Sequence, residues 1–358
     1  MLEQVAEAFE RKDYKTVAWL LKNLLKQMPQ NPTVQLYVGR LHEETGKLEA
    51  AETVYRQLLR DATNPKIMSQ ARQGLQRLEA IAQRKRQQAI AQATASKEDT
   101  EAGVLVLEAL SQDAKQSAAQ SLARIMQLDP YSARLQLPSR GWRLYRTGLV
   151  GEMRYYSQQL QQADIPCFWA NLADIEKINV FKVSHFVSVT PQVSVVCEND
   201  RSQIGSLNFS WSEVRDRVEG QLPIFEEVVD QDAHHKLQWK TKTQDYAQFC
   251  DLHLPARRSI LRLSDSSYQF PKGIPFNSQQ SNQPTNRTNW NNLLTFLNQQ
   301  LQHTPVWSDF NLFAQSALDY AEMLKRLKSH IHLFRREETL WDPAFQLYSG
   351  LVFLRSAK

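Results

Sequence analysis

Residues 32–65, PTVQLYVGRLHEETGKLEAAETVYRQLLRDATNP, carry the clearest pattern in the chain. Val34, Val38 and Leu41 recur at helical spacing before Thr45-Gly46, and Leu48, Ala51, Val54, Tyr55, Leu58 and Leu59 do so after it. Such spacing predicts two short amphipathic helices joined by a turn. Gly46 suits the turn because glycine accepts a positive φ. Gly39 and Ala51 are small where two helices approach, Tyr55 is large enough to fill the next gap, and Asn64-Pro65 closes the unit.

Working outward, Leu2–Pro29 reads as a degenerate copy of the same unit. Asp13-Tyr14 marks its turn, Val17, Leu21, Leu24 and Leu25 its stripe, and Pro29 its close. Beyond Pro65, Ile67, Met68, Ala71, Leu75, Leu78, Ile81 and Ala82 continue one helical stripe, and Arg84-Lys85-Arg86 reads as the solvated end of a cap. A hairpin of about 34 residues with this order of small and large positions resembles a tetratricopeptide repeat. The resemblance rests on Gly39, Gly46, Ala51 and Tyr55 and covers residues 1–95. His42 stands where the family usually has an aromatic, and Pro65 arrives late for its closing proline.

The resemblance implies protein binding along a groove lined by the first helix of each hairpin. Carried over residue by residue, that face holds Thr33, Leu36, Arg40, Glu43 and Glu44, with Leu2, Ala6, Phe9 and Glu10 from the degenerate copy. The partner-binding candidates are Leu36, Arg40, Glu43, Glu44 and Phe9. Leu36 and Tyr37 occupy the place of the Lys and Asn that clamp a carboxylate in some relatives, so that clamp is expected to be absent. An apolar groove with an acidic rim suits a segment with aliphatic anchors and basic flanks.

The chain has 358 residues, enough for two or three domains. Its 42% apolar content and mean hydropathy of −0.51 describe a soluble globular protein. No apolar run approaches the roughly 20 residues of a membrane span, and no secretory signal layout opens the sequence, which together point to the cytoplasm. Cys167, Cys197 and Cys250 are too scattered for a disulfide framework, and the first and second sit in apolar contexts that suit buried free thiols. The formal charge is +5, and the excess falls before residue 97, where it reads as a solvated helical face.

After a polar linker, residues 102–174 read as β-α-β-β-α-β. The strands fall at Val104–Leu110, at the alternation Ala133, Leu135, Leu137, at Trp142–Tyr145 and at Ile165–Trp169. The helices fall at Ala114–Leu128 and Leu149–Gln162. This order predicts a ferredoxin-like sandwich. Residues 175–270 form a β-rich module with strands near 180–189, 193–197, 205–211, 224–229, 237–239, 249–254 and 260–263. A short helix is expected at Ser212–Val218, ended by Gly220. Residues 271–289 are rich in Pro, Asn, Gln and Ser and read as a linker, and 290–358 as helices at Trp290–Gln302, Ser308–Arg335 and Pro343–Leu354. The expected fold class is therefore a multidomain α+β chain.

Catalytic motifs are scarce. No phosphate-binding glycine loop or Gly-x-Ser-x-Gly elbow occurs, and the 11 glycines do not cluster. His234-His235 with Cys250 and His253 is the nearest approach to a metal set, but Cys250 and His253 on one strand would face opposite sides. Glu226-Glu227, Asp230 and Asp232 read as a solvated turn. Arg257-Arg258 reads equally as an anion contact or as an edge-protecting pair. Arg140, Trp142, Arg143 and Arg146 form the candidate anion or RNA contact, because Arg140-Gly141-Trp142 resembles the third-strand start of an RNA recognition motif. Leu144 and Val106 stand where that motif places further aromatics, so Trp142 also reads as core filler. The expected function is a non-enzymatic adaptor, scaffold or assembly factor without cofactor or metal, binding a protein through residues 1–95. The alternative is a regulator binding a nucleotide, small anion or RNA through the ferredoxin-like domain.

Overall fold

Five helices follow one another at the N-terminus: α1 (Leu2–Glu10), α2 (Tyr14–Gln27), α3 (Pro32–Glu44), α4 (Leu48–Asp61) and α5 (Pro65–Ala93). The chain is described here by a computed structural model covering residues 1–231, 237–276, 285–333 and 339–356. Local sequence sets the helix ends. Asp13 accepts from the Thr16 amide at 3.1 Å and starts α2, while Asn31 accepts from Thr33 at 3.0 Å with Pro32 as the first helical residue of α3. Gly46 turns the chain at φ +76°.

Tyr55 is the keystone of the second hairpin. It is fully buried, and its ring fills the space that Gly39 of α3 and Gly74 of α5 leave open. A Cβ would lie 2.6 Å from the ring at Gly39 and 2.5 Å at Gly74. Leu36, Ala51, Leu58, Ala71 and Leu78 complete that core, and Val5, Val17, Leu21, Leu24 and Val34 form the one beside it. Ile67, Ala71 and Leu78 of α5, the segment expected to be a cap, pack into the Tyr55 core. Residues Met1–Gln92 make one compact unit.

The second unit is Ala93–Lys358. It opens with β1 (Ala102–Glu108), α6 (Gln112–Met126), α7 (Pro130–Gln136), β2 (Trp142–Leu149), α8 (Val150–Gln162), β3 (Cys167–Asn171) and α9 (Leu172–Glu176). The strands form a three-stranded antiparallel sheet in the order β2-β1-β3. Residues 133–136 are helical and Leu137 caps that helix, so among the described residues this sheet lacks the fourth strand of a ferredoxin-like sandwich. The cause is Asp129-Pro130, which follows the left-handed Gln127 that ends α6, and which starts α7: Asp129 accepts from the Ser132 amide at 2.9 Å, and Pro130 is the first helical residue. Leu135 accordingly points to solvent while Ala133 and Leu137 are buried.

Next come β4 (Asn179–Ser188), β5 (Val193–Glu198), β6 (Ile204–Phe209), β7 (Asp216–Gln231), β8 (Leu237–Leu254), β9 (Ser259–Ser264), α10 (Asn286–Gln300), β10 (Val306–Trp307), α11 (Phe310–Ala317), α12 (Ala321–Leu324) and α13 (Trp341–Ser356). A mixed seven-stranded sheet runs β10-β7-β8-β9-β4-β5-β6, with β4–β9 and β10–β7 parallel. The short strands expected at 224–229, 237–239 and 249–254 are parts of one long β7–β8 ribbon. The helix expected over 212–218 reduces to a single 3-10 turn at Trp211–Glu213. Gly220 is a mid-strand residue, since a Cβ there would lie 2.5 Å from the Phe345 ring of α13.

Period-two alternation sends the two faces of the large sheet to different cores. Cys250, Leu252 and Leu254 join Trp290, Leu293 and Leu297 of α10. Val218, Leu222 and Phe249 join α11, α13 and, from the small sheet, Val104, Val106, Trp142 and Leu144. The segments 102–174, 175–270 and 290–358 therefore share cores within one unit. The helix expected over 308–335 is interrupted by a 3-10 turn at Leu318–Tyr320 and ends at Leu324; beyond it the Ser329 carbonyl accepts from Arg262 at 2.8 Å and His330 adopts φ 55°, and residues 334–335 lie outside the described residues.

Candidate partner-binding face

The first helices of the two N-terminal hairpins meet in an aromatic and cationic cluster. Phe9 of α1 stacks on Tyr37 of α3 at 5.6 Å, and Tyr14 meets Phe9 edge-on at 6.3 Å. The Arg40 guanidinium lies over both rings, 5.2 Å from Phe9 and 5.9 Å from Tyr37. Arg40 is exposed; its charge helps hold the Glu43 carboxylate ionised, but no hydrogen bond to its guanidinium is found among the described residues. Its fork is thus oriented by the rings while its N–H donors remain open.

The other expected contacts are committed inward. Leu36 is buried in the hairpin core. Glu43 receives Arg77 of α5 at 2.6 and 2.9 Å and the Tyr55 hydroxyl at 2.8 Å. Burial works against the Glu43 carboxylate, but these hydrogen bonds outweigh it and hold its pKa below the ordinary value. Burial, then Glu43, pushes the Tyr55 hydroxyl far up. Glu44 accepts from Tyr14 at 2.9 Å, which raises the Tyr14 hydroxyl. The acidic rim is therefore largely committed, and the cation on this face whose N–H donors hold no hydrogen bond is Arg40. Of the expected residues the structure brings Phe9 and Arg40 together. Tyr37, named only as a clamp position, joins them because it lies one helical turn before Leu41 and three residues before Arg40.

In the second unit, Trp142 is buried against Phe168 at 4.8 Å, Trp307 at 4.9 Å and Tyr348 at 5.7 Å, with Arg355 over its ring. No base could stack on it without opening that core. Arg140 pairs with Asp309 at 2.9 Å and Arg146 with Glu152 at 2.7 Å, while Arg143 is half-buried. Arg257 holds Glu213 through two hydrogen bonds, at 2.6 and 2.8 Å, and Arg258 is exposed.

Cys250 and His253 do face opposite sides of β8, toward α10 and α13 respectively. His234, His235 and Asp232 lie outside the described residues. Among those described, no group of three or more His, Cys, Asp or Glu side chains could hold a metal ion. The three cysteines are free and buried, and burial raises the Cys250 thiol to about 12.

One polar network escaped the sequence reading. Asp251 of β8 accepts from Arg262 of β9 at 2.9 and 2.7 Å and from Ser349 of α13 at 2.7 Å. His253 Nε2 lies 3.0 Å from the Ser349 hydroxyl. The alternation of Asp251 and His253 with Leu252 and Leu254 was the available signal, since it placed charge on a sheet face that should be apolar. Serine, histidine and aspartate meet here, but Asp251 holds the serine and not the imidazole, and all three are fully buried. A catalytic relay needs the carboxylate on the imidazole and an open nucleophile. This network instead ties α13 to the sheet.

Residues 8–69 match the family model of the tetratricopeptide repeat, and the rest of the chain matches no family. The matched span holds α2, α3 and α4 with their flanks, and the helical hairpins agree with it. Such repeats generally mediate protein–protein interaction. No curated protein and no solved structure matches the chain. No helix among the described residues is long and apolar enough to cross a membrane.

Proposed function

We propose that this chain is a non-enzymatic adaptor or assembly factor that captures a protein segment on the Phe9–Tyr37–Arg40 face, in a reducing compartment such as the cytoplasm. The observation that carries this reading is Arg40 held over two aromatic rings with its donors unclaimed. A rigid amphipathic anchor beside an oriented cation is how protein interfaces concentrate binding energy. The basic flanks expected from Glu43 and Glu44 give way to an acidic anchor, because those two carboxylates are occupied and Arg40 is open. The preferred ligand is an extended or helical segment with an aliphatic or aromatic side chain beside an Asp or Glu.

Affinity capture with the full chain tests this reading. A partner retained by the wild type should bind at least about tenfold more weakly to Arg40→Glu and to Phe9→Ala, as expected for interface hot spots. A partner set unchanged by both substitutions overturns the reading.

A further inference from the structure

Strand β2 sets two arginines on one face of the small sheet. Its pairing with β1 puts Arg143 opposite Leu107 and Arg146 opposite Leu105. The register shifts between Leu105 and Val106, and Tyr145 is the residue left over. Side chains alternate along a regular strand, so residues three apart would face opposite ways. The bulge at Tyr145 cancels that alternation. Arg143 and Arg146 become next neighbours on the face shared by Leu105 and Leu107.

Only one of the two is answered. Arg146 donates to Glu152 of α8 at 2.7 Å and lies 5.0 Å from the Tyr156 ring. Arg143 is half-buried, and among the described residues it has neither a hydrogen bond nor a carboxylate partner. Its Nε is sealed from water, while its terminal nitrogens still reach solvent. Tyr145 and Tyr320 lie in the field of both arginines. Burial raises both hydroxyls, Tyr145 to about 12, and the two guanidiniums work against that rise. Both tyrosines therefore stay protonated and able to donate. Tyr320 donates to the Tyr145 carbonyl, and the Tyr145 hydroxyl holds no hydrogen bond among the described residues. A cation that has lost part of its hydration, beside a like charge and without a partner, does nothing for folding.

We propose that Arg143 and Arg146, aligned by the bulge at Tyr145, form a binding site for the oxyanion group, phosphate or carboxylate, of a small molecule. The open fork of Arg143 takes two oxygens side by side. Arg146 adds charge from the far side of the bulge, and the Tyr145 hydroxyl supplies a neutral donor. A nucleic-acid strand fits less well, because it calls for open rings on which bases stack, and Trp142 and Tyr156 are buried. The site lies in Ala93–Lys358 and is independent of the Arg40 face.

The full chain is titrated with inorganic phosphate and, separately, with acetate at constant ionic strength, and the heat is followed by calorimetry. Saturable binding of at least one is expected, and the tighter of the two identifies the group. Arg143→Gln should weaken it at least about tenfold, and Arg143→Lys, which keeps the charge but loses the fork, by less. Arg146→Gln/Glu152→Gln, which removes both halves of the ion pair, should weaken it about threefold. Arg140→Gln should leave it unchanged, since Asp309 already holds that arginine. Arg143→Gln removes no partner and should melt no lower than the wild type. Absence of saturable binding, or binding indifferent to Arg143→Gln, overturns the proposal. A lowered melting temperature with binding intact would make Arg143 structural and also overturn it. An oligoribonucleotide that binds through Arg143 where phosphate and acetate do not would do the same by making the ligand a nucleic acid.

Discussion

Tyr55 serves the helical unit by shape and by its hydroxyl together. Its ring occupies the room left at Gly39 and Gly74, and its oxygen joins Arg77 on Glu43. Adding a methyl at either glycine forces the ring or a helix to move, so Gly39→Ala and Gly74→Ala should each lose about 1–3 kcal/mol in urea unfolding, although alanine is the better helix former. Tyr55→Phe keeps the ring and should lose only about 1 kcal/mol. Equal losses for the three substitutions would show that the hydroxyl matters as much as the close packing of the ring. His253 offers a second test at this scale. Burial pushes its pKa down to about 4, against an ordinary value near 6.5. The unfolded chain therefore binds the proton more readily. Stability from the neutral imidazole is complete above pH 6.5 and drains away as pH falls toward 4, by up to about 3 kcal/mol. His253→Leu should flatten that part of the stability profile, and an unchanged slope between pH 6.5 and 4 would assign the acid sensitivity to other groups.

Elements were legible where their own periodicity sufficed. The α3–α4 hairpin, the strands β4, β5 and β9 and the buried helix α13 fall close to where their apolar spacing put them. Phe9 and Arg40 came from a different source, since the resemblance to the repeat family named the groove face and the periodicity only placed them on the first helices. What could not be read was which residue answers another across the chain. The Glu43–Arg77 pair joins two helices, and nothing in either helix names its partner, so Glu43 looked open when it was occupied. Residues 133–137 alternate like a strand, yet Asp129-Pro130 supplies a helix start that outweighs three alternating positions. Gly220 resembles a helix stop but marks the close approach of α13 to β7. That difference is measurable. Strand propensity alone favours Gly220→Ala, whereas a Cβ 2.5 Å from the Phe345 ring should make it destabilising by about 1–3 kcal/mol. A melting temperature at or above that of the wild type would show that α13 yields easily.

For the whole molecule, what matters is that the cores are separate. The residues around Tyr55 and those around Val17 belong to Met1–Gln92, while both large cores and the Asp251 network belong to Ala93–Lys358. A helical array whose neighbours contact only in sequence order, joined to a unit rich in long-range strand pairing, should not melt as one cooperative body. Scanning calorimetry of the full chain should therefore resolve two transitions. Tyr55→Ala, which empties a fully buried site, should lower one of them by about 3–5 kcal/mol and leave the other in place. Asp251→Ala strands the Arg262 guanidinium in the interior and should lower the second by a similar amount, with the first unmoved. A single transition shifted by both substitutions would mean that the units fold as one. Binding at Arg40 would then be coupled to the β-rich unit, and the adaptor reading would have to account for that coupling.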